Sequence, residues 1–217
     1  MAPFGFPVLL ELDGRRCVVI GALPIREGKV EALLAGGATD VLVVSTAPAE
    51  RLEGLELLEG VLVARRAWTT ADLAGAFLVI AHDPDPGERK RLSQAARAAG
   101  ALVNIVDDTP ACDWATPAIV RRGELLLAIG TGGASPALAR KLRVKLENEY
   151  GPEWAEVLRV LREVREETLP LLPDIEERSQ RWRDALDPDE AAALVRAGGA
   201  EELRGRLVTR LLDGARQ

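Results

Sequence analysis

Apolar residues along this chain fall into two regimes. Up to about residue 106 they come as short unbroken runs: Arg16-Cys-Val-Val-Ile-Gly21, Val41-Leu-Val-Val44, Val61 to Ala64, Phe77-Leu-Val-Ile-Ala81 and Ala101 to Val106. Runs of that length without polar interruption mark strands buried on both faces. Between them lie stretches with helical spacing, one opened by Pro24 and carrying Ile25, Val30, Leu33 and Leu34, another from Pro86 to Ala99. Strands alternating with helices predict a parallel sheet covered on both sides. After Asp108 the alternation stops. Ala118 to Ile129 reads as two strands around Arg122-Gly123, and from Ser135 onward, with Pro136 at the first helical position, the pattern is helical. Breaks are expected near Gly151-Pro152, Pro170 to Pro173 and Asp187-Pro188.

The expected architecture is α/β: a Rossmann-like doubly wound parallel sheet over residues 1–112, a hairpin-plus-helix region over 113–150, and a helical C-terminal region over 151–217. Sheets of this kind take ligands beyond the carboxyl ends of their strands, where strand order reverses. That rule directs attention to the segments after Ile20, Val44, Ile80 and Val106.

Composition narrows the classes. A net charge of -6 disfavours nucleic acid as a partner, because phosphate binding needs a surplus of Lys and Arg. No apolar run approaches the roughly 18 residues of a membrane span, and the start lacks a signal-peptide pattern, so the cytoplasm is the expected location. Cys17 and Cys112 are too few for a disulfide framework and show no metal-ligand spacing, so no metal site is expected. His82, the single histidine, follows a strand at the expected crevice, with no second ligand nearby.

Three stretches carry candidate chemistry. The first loop, Gly21-Ala-Leu-Pro-Ile-Arg-Glu-Gly28-Lys29, stands where a dinucleotide fingerprint would but does not spell it: Ala22 and Leu23 occupy positions where bare backbone is wanted. Ser45 is the nearest polar candidate after the second strand, which lacks an acidic ribose ligand. Asp107 and Asp108 end the fifth run, where a carboxylate serves either as turn chemistry before Pro110 or as a base at the crevice mouth. Gly130-Thr-Gly-Gly-Ala-Ser-Pro136 is either an anion cradle or a tight turn into a helix. Arg121, Arg122, Arg140, Lys141, Arg143 and Lys145 lie close to it in sequence, as a solvated helix face or as partners for a polycarboxylate.

Together, Phe6-Pro-Val, Cys17-Val-Val-Ile-Gly21, Lys29, Asn104-Ile-Val-Asp107, Cys112, Pro117-Ala118, Arg122-Gly123 and Gly130-Thr-Gly-Gly-Ala-Ser-Pro-Ala-Leu-Ala-Arg140 resemble the siroheme-synthase N-terminal family over about residues 5 to 150. Members are precorrin-2 dehydrogenases, some of which are also sirohydrochlorin ferrochelatases. The resemblance implies NAD-dependent oxidation of precorrin-2 to sirohydrochlorin in siroheme biosynthesis, with ferrous iron insertion as a further capacity. It implies a homodimer built through the hairpin region, and Asp107 as the catalytic carboxylate. NAD contacts are expected from Gly21, Ala22, Leu23, Pro24, Ile25, Ser45, Ala47, Pro48, Ala81 and His82. Tetrapyrrole contacts are expected from Asn104, Arg121, Arg122, Thr131, Gly132, Gly133, Ser135 and Arg140. Thr131 stands where some members carry a phosphorylated serine.

Departures from the family pattern concentrate in the nucleotide half. Ala22 and Leu23 replace glycines, Gly28 replaces an arginine, and Asp83-Pro84 and Arg89 replace a Thr-Asp pair and an asparagine. Two other readings therefore stand beside the dehydrogenase: an NAD-independent sirohydrochlorin metal chelatase, and a non-catalytic dimeric protein that binds a tetrapyrrole or nucleotide.

Overall fold

The computed structural model describes residues 5–21 and 28–213. The chain divides into two compact units, Met1–Thr116 and Pro117–Gln217. The segments 113–150 and 151–217 delineated from the sequence thus fall, apart from residues 113–116, in a single unit.

The first unit runs β1 (Arg16–Ile20), α1 (Lys29–Ala35), β2 (Asp40–Val44), α2 (Ala49–Leu52), β3 (Val61–Ala64), β4 (Ala76–Ala81), α3 (Pro86–Ala98) and β5 (Leu102–Ile105). All strand pairs are parallel, in the order β3-β2-β1-β4-β5. Strand order reverses between β1 and β4, so the crevice lies where these two strands end. The five expected strands are all present.

Side chains alternate along each strand, which divides the apolar runs between two cores. Cys17, Val19, Val41, Val43, Leu78 and Ile80 face one side with Val30 and Leu33 of α1. Val18, Ile20, Leu42, Val44, Val79, Val103 and Ile105 face the other with Leu92 and Ala96 of α3. Burial of Val18, Val41, Val43 and Val79 is complete or nearly so, as a central parallel sheet requires. Asp85 caps α3 through its carboxylate, which accepts from the N–H groups of Gly87 and Glu88.

The second unit opens with an antiparallel hairpin, β6 (Ala118–Arg122) and β7 (Leu125–Ile129), closed by a two-residue turn with Gly123 at φ 57°. Five helices follow: α4 (Pro136–Glu149), α5 (Glu153–Thr168), α6 (Ile175–Ala185), α7 (Pro188–Arg196) and α8 (Ala200–Leu212). Val157, Val160 and Val164 on α5 meet Leu203, Leu207 and Leu211 on α8, both rows at three-to-four-residue spacing. Trp154 and Trp182 pack against this core. The three expected helix breaks occur. A fourth, between α7 and α8, was not anticipated: Gly198 at φ 83° lets Gly198 and Gly199 donate back to the carbonyls of Val195 and Leu194. No described helix is long and apolar enough to cross a membrane.

Candidate functional site

The crevice is assembled from the residues that follow β1, β2, β4 and β5. The sheet ladder runs one residue past each strand end. Gly21 donates to Val44 O at 3.1 Å, His82 to Ile20 O at 2.9 Å and Val106 to Ala81 O at 2.8 Å. Gly21 sits at φ 134°, and a Cβ there would lie 2.2 Å from the His82 carbonyl oxygen. No other residue type fits between these strand ends without moving backbone. The side-chain-free wall at the point of strand reversal is what close approach of a dinucleotide to the sheet requires, so the residues present fit NAD. Ala22, Leu23, Pro24 and Ile25 lie outside the described residues. The described chain resumes at Gly28, φ 80°, which precedes the seven-residue α1.

Ser45 has a different place from that of a free ribose ligand. It is buried, its hydroxyl donates to Gly21 O at 2.6 Å, and its oxygen accepts from Ala47 N–H at 3.0 Å. It pins the end of β2 to the end of β1. Ala47 is half-buried and Pro48 exposed beside it; Ala81 is buried and His82 half-buried at the end of β4. The His82 Nδ1 atom is buried and has no hydrogen-bond partner among the described residues.

The loop after β5 holds the carboxylates. Asp107 is exposed and has φ 62°, a positive value shared by no other non-glycine residue among those described. Non-glycine residues held in this region cluster at functional sites, and aspartate tolerates it better than most. Asp108 points elsewhere: its Oδ2 accepts from Arg89 Nε at 3.1 Å. The two neighbours are thereby separated into one engaged and one presented carboxylate.

Beyond Asp108 the chain folds back along the outer edge of β5. Asp113 accepts from Val103 N–H at 3.1 Å through Oδ2 and donates its own N–H to Val103 O at 2.7 Å. The Cys112 sulfur accepts from Ile105 N–H at 3.1 Å and lies 3.3 Å from Asp108 O. Burial pushes the Cys112 thiol up, and burial followed by the nearby Asp40 charge pushes Cys17 up to about 11, so neither favours the thiolate a nucleophile needs. Asn104 donates through Nδ2 to Trp114 O at 2.8 Å, which commits its amide to the same returning segment.

In the second unit, Arg122 donates through Nε to Tyr150 O at 2.8 Å and through Nη2 to Glu147 O at 3.0 Å. It closes the carboxyl end of α4, where unpaired carbonyls attract a cation. Arg121 and Arg140 are exposed, and neither guanidinium has a hydrogen-bond or ion-pair partner among the described residues. Gly132 and Gly133 are exposed at φ 59° and 82°. Thr131 Oγ1 accepts from Ser135 N–H at 3.3 Å, and Ser135 Oγ accepts from Leu138 N–H at 3.1 Å as the cap of α4. The glycine-rich stretch is thus an ordered turn into a capped helix.

Sequence reasoning missed the donors on α3. Arg89, Ser93 and Arg97 each reach the loop after β5, and their four-residue spacing beside the buried Leu92 and Ala96 is the signal that was available.

Comparison with known proteins gives this geometry a context. A family model described as "Putative NAD(P)-binding" matches residues 8–118. A siroheme synthase of Ectopseudomonas mendocina (strain ymp) is 34% identical over 209 residues, covering 96% of this chain and 44% of that protein. A siroheme synthase of Methylococcus capsulatus is 31% identical over 212 residues, covering 97% of this chain and 44% of that protein. The chain therefore spans less than half the length of these relatives. A solved structure titled "SirC, precorrin-2 dehydrogenase" superposes with a TM-score of 0.71 at 24% identity, over 94% of this chain and 98% of that one, and so shares the fold. With a sheet that reverses at β1/β4, a glycine wall at that point, and a family model spanning the whole of the first unit's sheet, the chain belongs to the NAD(P)-binding family, among the relatives of siroheme synthase.

Proposed function

We propose that this chain is an NAD-dependent precorrin-2 dehydrogenase, acting in the cytoplasm as a homodimer and converting precorrin-2 to sirohydrochlorin. The observation that carries the proposal is Asp107: an exposed carboxylate held at φ 62° at the carboxyl edge of the sheet, in the loop after β5. The siroheme synthase relatives and the fold shared with a precorrin-2 dehydrogenase support the substrate.

NAD supplies the hydride acceptor. Gly21, with Ala81 and His82 at the neighbouring strand end, would hold it against the sheet, and Ser45 fixes the wall by tying β2 to Gly21. Oxidation removes a hydride and a proton from precorrin-2, and Asp107 receives the proton. Arg121 and Arg140, whose guanidinium groups have no partner among the described residues, are assigned to substrate carboxylates on the family resemblance; Arg122, Thr131 and Ser135 order the turns of the second unit, and Asn104 the segment after β5, through their bonds to backbone groups. The homodimer is supported by α4, which leaves Leu138, Leu142 and Val144 exposed.

Incubation of purified protein with precorrin-2 and NAD tests the proposal. Formation of NADH in step with sirohydrochlorin absorbance is expected, and its absence would overturn the reading.

A second reading, insertion of ferrous iron into sirohydrochlorin without NAD, is favoured by one observation: β2 ends without an acidic ribose partner and with the Ser45 hydroxyl turned onto Gly21. It predicts metal insertion in the absence of nucleotide, abolished in Asp107→Ala. Tight tetrapyrrole binding without either turnover would instead mark a carrier or sensor.

A further inference from the structure

Arg89 stands between two loops that line the crevice. Its Nε donates to Asp108 Oδ2 at 3.1 Å, in the loop after β5. Its Nη1 donates to the carbonyls of Asp83 at 3.0 Å and Pro84 at 3.1 Å, in the loop after β4. Side-chain exposures of 22% for Arg89 and 27% for Asp108 place the pair well short of full solvation, where a charge-assisted bond keeps more of its strength than at an open surface. A planar guanidinium can serve both loops at once because its donors diverge in a fixed fork, which a lysine ammonium on a flexible stem does not reproduce.

The contact is the first of three from one face of α3. Four residues on, Ser93, itself buried, donates through Oγ to Ala111 O at 2.8 Å. Four further on, Arg97 donates through Nε to Asp113 Oδ1 at 2.9 Å. Three side chains a turn apart therefore grip the loop at its start, middle and end. Between the first strand-end residue and these anchors lies Asp107, in a backbone conformation that an L-residue keeps only when its surroundings determine it.

We infer that Arg89 is a positioning residue: it locks Asp108 to the β4 loop and so fixes the left-handed conformation that presents Asp107 at the crevice. The consequence for turnover rests on the dehydrogenase reading; the consequence for the loop does not. Asp107 is displayed in one direction because its neighbour cannot turn, and the β4 loop keeps its spacing from the β5 loop because both share one guanidinium. A misplacement of a reacting group by about 1 Å lowers rates by about a hundredfold, so this fixation acts on kcat.

Hydrogen exchange and kinetics on the full chain test the inference. Arg89→Met keeps the aliphatic stem and removes the donors. The amides of Asp108, Ala111, Cys112 and Asp113 are expected to exchange about tenfold faster, while those of Val18 and Val43 in the sheet do not change. In turnover of precorrin-2 with NAD, kcat is expected to fall about tenfold or more, with KM for both substrates within about twofold. Asp108→Asn added to Arg89→Met is expected to cost no further activity, since both changes break one link. Arg89→Lys, which restores the charge at Asp108 without the fork, is expected to recover part of the protection. Unchanged exchange of the loop amides in Arg89→Met would overturn the inference, as would unchanged kcat despite faster exchange, or an additive loss in the double variant. A wild-type protein inactive on precorrin-2 would instead remove the dehydrogenase reading, and the exchange result alone would then decide the loop.

Discussion

The backbone of Asp107 makes a prediction in which stability and activity part company. At φ 62° an L-residue with a Cβ meets its own carbonyl, at a cost of roughly 1–2 kcal/mol that glycine does not bear. Glycine loses more chain entropy on folding, by roughly 0.4–1 kcal/mol, which offsets part of that advantage. The difference leaves Asp107→Ala about 1 kcal/mol less stable than Asp107→Gly, or about 4 °C in melting temperature for a unit of this size. Aspartate falls between them, because its short polar side chain makes αL more tolerable than alanine does. Both variants lack the carboxylate and lose turnover equally if Asp107 takes the proton. Chemical denaturation followed by tryptophan fluorescence reads the first unit through Trp68 and Trp114 once Trp154 and Trp182 of the second unit are replaced by phenylalanine, and NADH formation reads activity. Equal stability of the two variants would refute the conformational argument. Turnover near wild type in Asp107→Gly would refute the catalytic one.

Other consequences are open to direct measurement. Gly21→Ala places a methyl group against the His82 carbonyl at the sheet's reversal point, so a loss of at least roughly 2 kcal/mol in stability and of measurable NAD binding is expected, by denaturation and nucleotide titration. Replacing Ala22 and Leu23 by glycine is expected to tighten NAD binding in the same titration, because bare backbone allows closer approach of pyrophosphate. Asp72 is nearly buried and bonded to Arg66 at 2.6 Å and 2.7 Å; that contact first, then the Thr69 bonds, lowers its pKa from 3.8 to about 2 against the opposing cost of burial. Because the folded-state value is depressed, the stabilisation is present above about pH 4 and is lost as pH falls through 2. A shift of this size corresponds to roughly 2.5 kcal/mol, reduced to about 1–2 kcal/mol because Arg66 is half exposed, so Asp72→Asn should lose that much at neutral pH and converge with wild type near pH 2. Leu138→Glu with Leu142→Glu on α4 is expected to yield monomers in light scattering if this helix forms the proposed dimer contact.

The strands were legible because nothing else in a soluble chain looks like Cys17-Val-Val-Ile20 or Val41-Leu-Val-Val44: a run with no polar position has no solvent face to offer. Helix starts marked by Pro86, Pro136 and Pro188 were legible for the same local reason, while the start expected at Pro24 lies outside the described residues. The Gly198-Gly199 break was not, since Ala-rich flanks carry helical propensity on both sides. Polar partners were harder still. Arg122 lies 28 residues from Tyr150 and Arg89 lies 19 from Asp108, so the acceptor each guanidinium finds is decided by tertiary packing, not by neighbours in sequence. Sequence spacing grouped Arg122 with open cations near a glycine turn; the fold commits it to the end of α4. Ser45 presents the same problem at shorter range, its hydroxyl turned back onto Gly21.

Asp107 and Asp108 are chemically identical neighbours, and the difference between them originates in the edge of the sheet. As the last strand, β5 exposes a row of backbone groups that would invite pairing with another chain. Asp113 takes Val103 N–H, the Cys112 sulfur takes Ile105 N–H, and Trp114 Nε1–H reaches Leu102 O at 3.3 Å, so the strand's own continuation covers its edge. To come back along β5 the chain must reverse within a few residues of Ile105, and a residue at positive φ makes that reversal. Aspartate at this position serves the turn and leaves its carboxylate exposed, while the next aspartate is drawn to α3 by Arg89. Edge protection and display of a carboxylate thus arise from one backbone reversal, so substitutions at Cys112 or Asp113 that loosen the edge should also disorder the direction in which Asp107 points.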